Sequence, residues 1–223
     1  MDLIELIKEL NKLFNTYDFH VYAVGGTVRD YLLKRELKDF DFATDAKPED
    51  MKYILENYND IFLKYGVMIY RFHDIKCEIT SFREEKKYLD SRHPKEITFV
   101  NDMSIDYKRR DFTINALYMD EKGKVYDFCD GFADLNNKII RVIGDIDTRM
   151  KEDPLRILRA IRFSMSLGFE LEPLLKDYII NNLDLLNNLN IDKIKQEISK
   201  MKKINKEETE KIIIEYHINR FIS

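Results

Sequence analysis

Asp39 and Asp41 are separated by a single residue, Phe40. On an extended strand residues i and i+2 share a face, so both carboxylates point the same way. Two carboxylates so placed repel, and at least one pKa rises unless a cation bridges them. Hard oxygen donors on one edge suit Mg2+, which takes a few carboxylates and completes its shell with substrate phosphates; Mn2+ suits the same donors. A lone Asp-x-Asp is more often a solvated strand face. This pair, however, follows Arg29 by ten residues and has aromatic neighbours. Glu78, between Cys77 and Ile79, either faces solvent from a half-buried sheet or supplies a third carboxylate.

Three further clusters carry chemistry. Gly25-Gly26-Thr27-Val28-Arg29-Asp30 is notable in a chain with only 7 glycines. It reads equally as an ordinary strand-to-helix turn and as a phosphate cradle of close backbone, helix N–H groups and a gripping arginine. Arg109-Arg110-Asp111 precedes the apolar FTINAL run. Asp111 there is either an N-cap or, beside a phosphate-clamping arginine pair, a ribose-binding acid. Asp153-Pro154 then opens a helix on which Arg156, Arg159 and Arg162 recur every three residues, next to an apolar stripe of Leu155, Leu158 and Ile161. Such a row is commonly a solvated cationic face, but arginine is also the residue of planar, bidentate recognition.

The elements that must position these residues divide near 145. Before it, helical spacing covers 3–14, Phe19–Val24 reads as a strand, Thr27–Lys34 as a helix, and the Phe40/Phe42 alternation as a strand. Pro48 opens another helix, and Val67–Phe72 with Lys76–Thr80 form a hairpin. Residues 81–96 read as a polar loop, Asp111–Leu117 as a short helix or turn, and a second hairpin is centred on Lys122-Gly123, followed by Ile139–Val142. After Asp145 the pattern is helical only, over Asp153–Leu167, Pro173–Leu183, Ile191–Ile204 and Glu207–Ile222. The expected fold is α+β: residues 1–145 form a mixed-sheet head, and 146–223 an all-helical neck with a truncated or minimal body.

The 223 residues are 44% apolar and 35% charged with net charge −4, a soluble balance that excludes a disordered chain and argues mildly against wholesale nucleic-acid coating. No apolar run approaches the roughly 20 residues of a membrane span. The first ten residues lack the pattern of a signal peptide. Cys77 and Cys129 alone cannot build a disulfide framework or a zinc site. A cytoplasmic globular protein without membrane attachment is expected.

Taken in order, GGxVRD, DFD, RRDFTINAL and EDPLRILRAIRF resemble the class II tRNA nucleotidyltransferases. This family of the polymerase-β-like superfamily includes the CCA-adding enzymes and bacterial poly(A) polymerases. The likeness runs from Val21 to Phe169. It implies a polymerase-β-like head, with Gly25, Gly26, Arg29 and Arg110 at the triphosphate and Asp111 at the ribose. Asp39 and Asp41 would hold catalytic Mg2+ and Glu78 would be the third carboxylate. Asp153 and Arg156 would read the base, and Arg159 and Arg162 would line the nucleotide pocket. The base-reading pair is chemically sensible. Cytosine and adenine both place an exocyclic amine beside a ring acceptor, which suits a carboxylate next to a guanidinium. Uracil and guanine put a carbonyl where that amine would be.

Within the family, Phe82–Pro94, with Tyr88, Asp90, Arg92, His93 and Pro94, resembles the full-length flexible loop on which A addition depends. The single arginine in Tyr65–Phe72 favours the tRNA enzyme over the poly(A) type. The implied reaction is template-independent addition of C and A to the tRNA 3′ end from CTP and ATP. The alternatives are an A-adding or poly(A)-type polymerase, or a nucleotide-binding head and neck with little tRNA activity. About 55 residues follow Gly168, leaving little chain to grip tRNA. Lys193, Lys195, Lys200, Lys202, Lys203 and Lys206 offer a phosphate-facing stripe, diluted by Glu197, Glu207, Glu208 and Glu210.

Overall fold

Val-Tyr-Ala-Val, bounded by a polar turn and a glycine pair, forms the short strand β1 (Val21–Val24). Antiparallel neighbours flank it, β2 (Phe40–Thr44) on one side and β8 (Tyr118–Met119) on the other. The sheet continues outward through β5 (Ile75–Ser81), β4 (Val67–Phe72) and β3 (Tyr58–Asn59) past β2, and through β9 (Val125–Tyr126) past β8. The computed structural model describes residues 2–88 and 94–222, and the described chain divides into two compact units. The first takes in residues up to Lys86 together with Glu96–Phe132; the second takes in Lys87–Lys95 and the chain from Ala133 onward.

The pleat of this seven-stranded sheet separates core from chemistry. In register, Ala23, Phe42, Ile79 and Met68 share one face and are each at most 1% exposed. Helix α1 (Leu3–Asn15) packs on β1, burying Leu3, Leu6, Ile7, Leu10 and Phe14 at helical spacing. Helix α2 (Gly26–Leu32) packs on β1 and β2, and α3 (Pro48–Ile54) packs on β4. The opposite face carries Asp41 and Glu78. Beyond them Val24, Ala43, Phe82 and Tyr118 form a small aromatic core, with Tyr22, Tyr107 and Tyr126 packed against it.

Residues 81–96, expected as a loop, instead hold β6 (Arg83–Tyr88) and β7 (Pro94–Phe99), a separate two-stranded sheet. Arg-Glu-Glu-Lys-Lys-Tyr has no apolar alternation to mark it as a strand. Asp90, Arg92 and His93, expected in the family's flexible loop, lie outside the described residues. The hairpin at Lys122-Gly123 is present as β8–β9, with Asp120 accepting from the N–H groups of Lys122 and Lys124 at 2.9 Å each.

Helix α4 (Met103–Asp106) leads through a 3-10 turn, Tyr107–Arg109, to a second one at Thr113–Asn115. Asp111 is therefore not the N-cap of a helix, because Phe112 holds the cap position of that turn.

The division between units falls within α5 (Gly131–Asn137). In the second unit β10 (Ile139–Ile140) pairs in parallel with β11 (Glu170–Leu171), so the region beyond Asp145 is not helices alone. A helix absent from the sequence reading, α6 (Ile146–Glu152), is capped by Asp145, which accepts from Thr148 N–H at 2.9 Å. Helix α7 (Leu155–Leu167) stops at Gly168, whose φ of +66° suits glycine. It is followed by α8 (Pro173–Asn181), α9 (Ile191–Ile204) and α10 (Lys206–Glu215). The last is shorter than expected, ending before His217 at φ +50°. Helix α7 packs on α9, and Leu155, Leu158, Ile161, Ile194, Ile198 and Met201 are buried.

Candidate active site

Strand pairing brings the three sequence-predicted carboxylates together. Asp41 and Glu78 are register partners on the parallel strands β2 and β5, so they share a face. Asp39 lies just before β2, and its charge reaches Asp41. Asp39 and Glu78 are exposed, whereas Asp41 is half-buried. Burial, then the charges of Glu78 and Asp39, push the Asp41 carboxyl up to about 6, although Arg110 and Arg29 pull the other way. Both signs of charge therefore converge on one carboxylate.

Among the described residues no three His, Cys, Asp or Glu side chains are set to hold a metal ion unaided. Mg2+ does not require such a cage, since it takes one or two carboxylates and uses substrate phosphates for the rest. An exposed Asp39 beside an Asp41 whose charge is disfavoured is a donor set that fits such an ion.

The glycine pair and the arginines lie around this edge. Gly25 has φ +67°, and a β-carbon there would lie 3.7 Å from Nη1 of Arg110. One at Gly26 would lie 3.5 Å from Nη2 of Arg29. Arg29, 7% exposed, donates to Asn115 Oδ1 at 2.6 Å and to both oxygens of Asp30 at 2.9–3.0 Å. Asn115 in turn donates to Asp111 at 3.1 Å, which also accepts from Phe112 N–H at 2.8 Å. The predicted triphosphate arginine and ribose acid are thus linked through an amide that sequence reasoning did not single out.

Asp106 was missed in the same way. It is fully buried and accepts from Arg109 Nε at 2.8 Å, Arg110 Nη2 at 3.0 Å, the Tyr118 hydroxyl at 2.6 Å and Arg83 N–H at 2.9 Å. Burial alone would raise its carboxyl, but Arg109, Arg110, the hydroxyl and the Arg83 amide together hold it well below the usual carboxylate range. Arg110 also donates to the Tyr118 hydroxyl at 3.0 Å, so its guanidinium is held from two sides. Thr27, on the first turn of α2, completes the group through contacts with both Asp39 and Asp41. Asp106 lies outside every motif, and Thr27 and Asn115, although inside GGTVRD and RRDFTINAL, drew no role there because each acts through a tertiary contact.

In the second unit, Asp153 ends α6 and precedes Pro154, which holds the cap position of α7; its carboxylate accepts from Leu155 N–H at 3.1 Å. Arg156, 5% exposed, donates to the Arg149 carbonyl at 2.6 Å and lies 3.4 Å from Glu152. Arg162 is ion-paired with Glu197 of α9 at 2.7 Å and lies over the Phe163 ring; Arg159 lies near the same ring. Glu197 is 2% exposed, so it belongs to the interior of this unit rather than to a solvated lysine face. No helix among the described residues is long and apolar enough to cross a membrane.

Residues 21–141 match the model of the poly(A) polymerase head domain. A CCA-adding enzyme of Lactobacillus johnsonii is 41% identical over 198 residues, covering 89% of this chain and 49% of the relative. The Bacillus stearothermophilus CCA-adding enzyme in complex with CTP superposes with a TM-score of 0.82 at 34% identity, over 90% of this chain and 49% of that one. A tRNA nucleotidyltransferase complexed with a primer tRNA and an incoming ATP analog gives a TM-score of 0.73 at 27% identity, over 99% and 62%. The chain spans about half the length of the curated relatives it matches.

Proposed function

Because the chain belongs to the poly(A) polymerase head-domain family, we propose that it is a CCA tRNA nucleotidyltransferase. It adds C and A to tRNA 3′ ends from CTP and ATP without a template, in the cytoplasm. Residues 1–145 form its head and 146–223 its neck. The observation that carries this reading is the Asp41–Glu78 pair beside Asp39, with Arg29 and Arg110 acting on the same carboxylate. The names of the relatives supply the substrate class: CCA addition, with CTP, primer tRNA and an ATP analog in solved complexes.

Asp39 and Asp41 would hold Mg2+, which when bound lowers the pKa of the primer 3′-hydroxyl and neutralises charge on the leaving pyrophosphate. Glu78 is the third acid of that edge. Gly25 and Gly26 let a triphosphate approach the backbone, while Arg29 and Arg110 neutralise its oxygens. Holding both guanidiniums in place beforehand removes the entropy cost of fixing them during the reaction. Asp111, fixed by Asn115, keeps lone pairs for a ribose hydroxyl. Asp153 accepts from the amine of C or A while Arg156 donates to the ring acceptor. A carbonyl in the amine's place offers Asp153 no donor and sets two acceptors face to face, a penalty of about 1–3 kcal/mol. Arg159 and Arg162 line the nucleotide pocket.

The test uses tRNAs ending before CCA and after CC, plus an unrelated RNA, each with CTP and ATP. Three residues added to the first substrate support the reading. Long A tails on any RNA would replace it with a poly(A) polymerase. Nucleotide binding without product would leave a nucleotide-binding head and neck.

A further inference from the structure

Strand β1 stops short of the carboxylates. Its last partner on β2 is Phe42, facing Ala23, and after Val24 the chain turns at Gly25 into α2. On its other side β2 is fully paired, because β5 runs alongside it from Phe40 onward. The backbone of Asp39 and Asp41 on the β1 side therefore lies past the end of the ladder, where an N–H and a C=O need a partner from elsewhere.

One side chain supplies both. The Thr27 hydroxyl donates to the Asp39 carbonyl at 3.1 Å and accepts from the Asp41 N–H at 2.8 Å. Thr27 is 2% exposed, so water does not compete for those groups. A hydroxyl has one proton and two lone pairs, so it can make both bonds at once. Its β-branched side chain has few rotamers on a helix, which fixes the hydroxyl in direction. Resting on the reading of Asp39 and Asp41 as the metal carboxylates, we propose that Thr27 is the positioning residue of that pair. It stands in for the missing strand and sets the separation of the two carboxylates across Phe40.

The role is separable from general packing, because valine fills the same volume without the hydroxyl and serine keeps the hydroxyl without the methyl. Mn2+ binding to the nucleotide-free protein, followed by electron paramagnetic resonance, reads the pair without any reaction. Asp39→Ala with Asp41→Ala identifies the site's share of the signal. Thr27→Val is expected to weaken that binding roughly tenfold, the scale of one or two lost net hydrogen bonds. Exchange of the Asp41 amide proton should quicken in the same variant. Thr27→Ser should restore both, and Thr27→Ala should repeat the loss without added bulk. Unchanged Mn2+ affinity in Thr27→Val, or no rescue by serine, overturns the proposal. If the wild type binds Mn2+ but extends no RNA, weaker binding in Thr27→Val still upholds Thr27 while the proposed reaction falls. A wild type that binds no Mn2+ at this pair removes both.

Discussion

The Asp106 carboxylate lies 3.0 Å from the guanidinium of Arg110, and the Tyr118 hydroxyl bridges the two residues at 2.6 and 3.0 Å. A fully buried acid thus carries an arginine that is only partly buried. Removing one partner of such a pair leaves the other charge uncompensated, at about 3–5 kcal/mol. Asp106→Ala should lose that much in urea unfolding, and ATP or CTP affinity should fall with it. Because the folded-state pKa is depressed, the stabilisation is present above the unfolded value of about 3.9. It is lost only as pH falls below that value toward the folded one. An Asp106→Ala protein as stable as wild type at pH 7 would show the pair to be dispensable.

Asp41 has the opposite sign. Its carboxyl is raised from 3.8 to about 6 in the folded, metal-free protein, so the folded state binds the extra proton. That contribution is complete below the unfolded value and disappears as pH rises through about 6. Metal-free protein should therefore lose melting temperature between pH 4 and 7, a range set by those two values. Mg2+ should raise the melting temperature strongly at pH 7.5 and little at pH 5. Asp41→Asn should remove both effects. An Mg2+ shift equal at the two pH values would contradict this.

The contrast between these two acids shows what the sequence could reveal. Asp41 was legible because strand alternation and a two-residue spacing place it without any knowledge of the tertiary fold. Asp106 sits in Ser-Ile-Asp-Tyr, where nothing local distinguishes it from a surface acid, and its partners are brought to it by the chain's turn through Tyr107–Arg109. Thr27 and Asn115 lie inside quoted motifs, but their roles depend on partners that the fold brings to them. The segment 81–96 reads as a loop because β6 carries no hydrophobic period; the half-buried Ile97 and Phe99 of β7 fall beyond its end. In the sequence Glu197 only dilutes a lysine stripe, because nothing local shows that Arg162 draws it into the interior.

Two glycines should respond differently to alanine. At Gly131 a β-carbon would fall 2.2 Å from the Thr113 carbonyl oxygen, inside the turn that holds Asn115. Backbone must move there, and Gly131→Ala should lower stability by more than about 2 kcal/mol, in the range of overpacking. At Gly25 the nearest atoms are at ordinary distance, and the obstacle is φ +67°. Gly25→Ala should cost about 1–3 kcal/mol from backbone strain, with a further loss of nucleotide affinity because the methyl takes up space beside Arg110 that an approaching phosphate would use. Thermal melts paired with CTP titrations separate the two cases.

Arg162 carries two assignments, a pocket role in the proposed reaction and an ion pair with Glu197 at 2.7 Å. Glu197 also accepts from Lys200 at 2.6 Å, and these cations, working against burial, hold its carboxyl below the ordinary range. A double-mutant cycle of Arg162→Ala and Glu197→Ala should give a coupling of about 1–3 kcal/mol in unfolding free energy. If Arg162 also meets nucleotide, Arg162→Ala should raise the KM for CTP more than Glu197→Ala does. Equal KM values in the two variants would confine Arg162 to the α7–α9 contact.

The sheet that carries the carboxylates ends on both sides in strands of two residues, β3 and β9. A free edge that short offers too few unpaired groups to recruit a strand from another molecule. Brevity at these two margins thus works against edge-to-edge pairing of this sheet. The strands β2 and β5 that carry the acids have neighbours on both sides, so the acids gain a rigid support away from the sheet's edge.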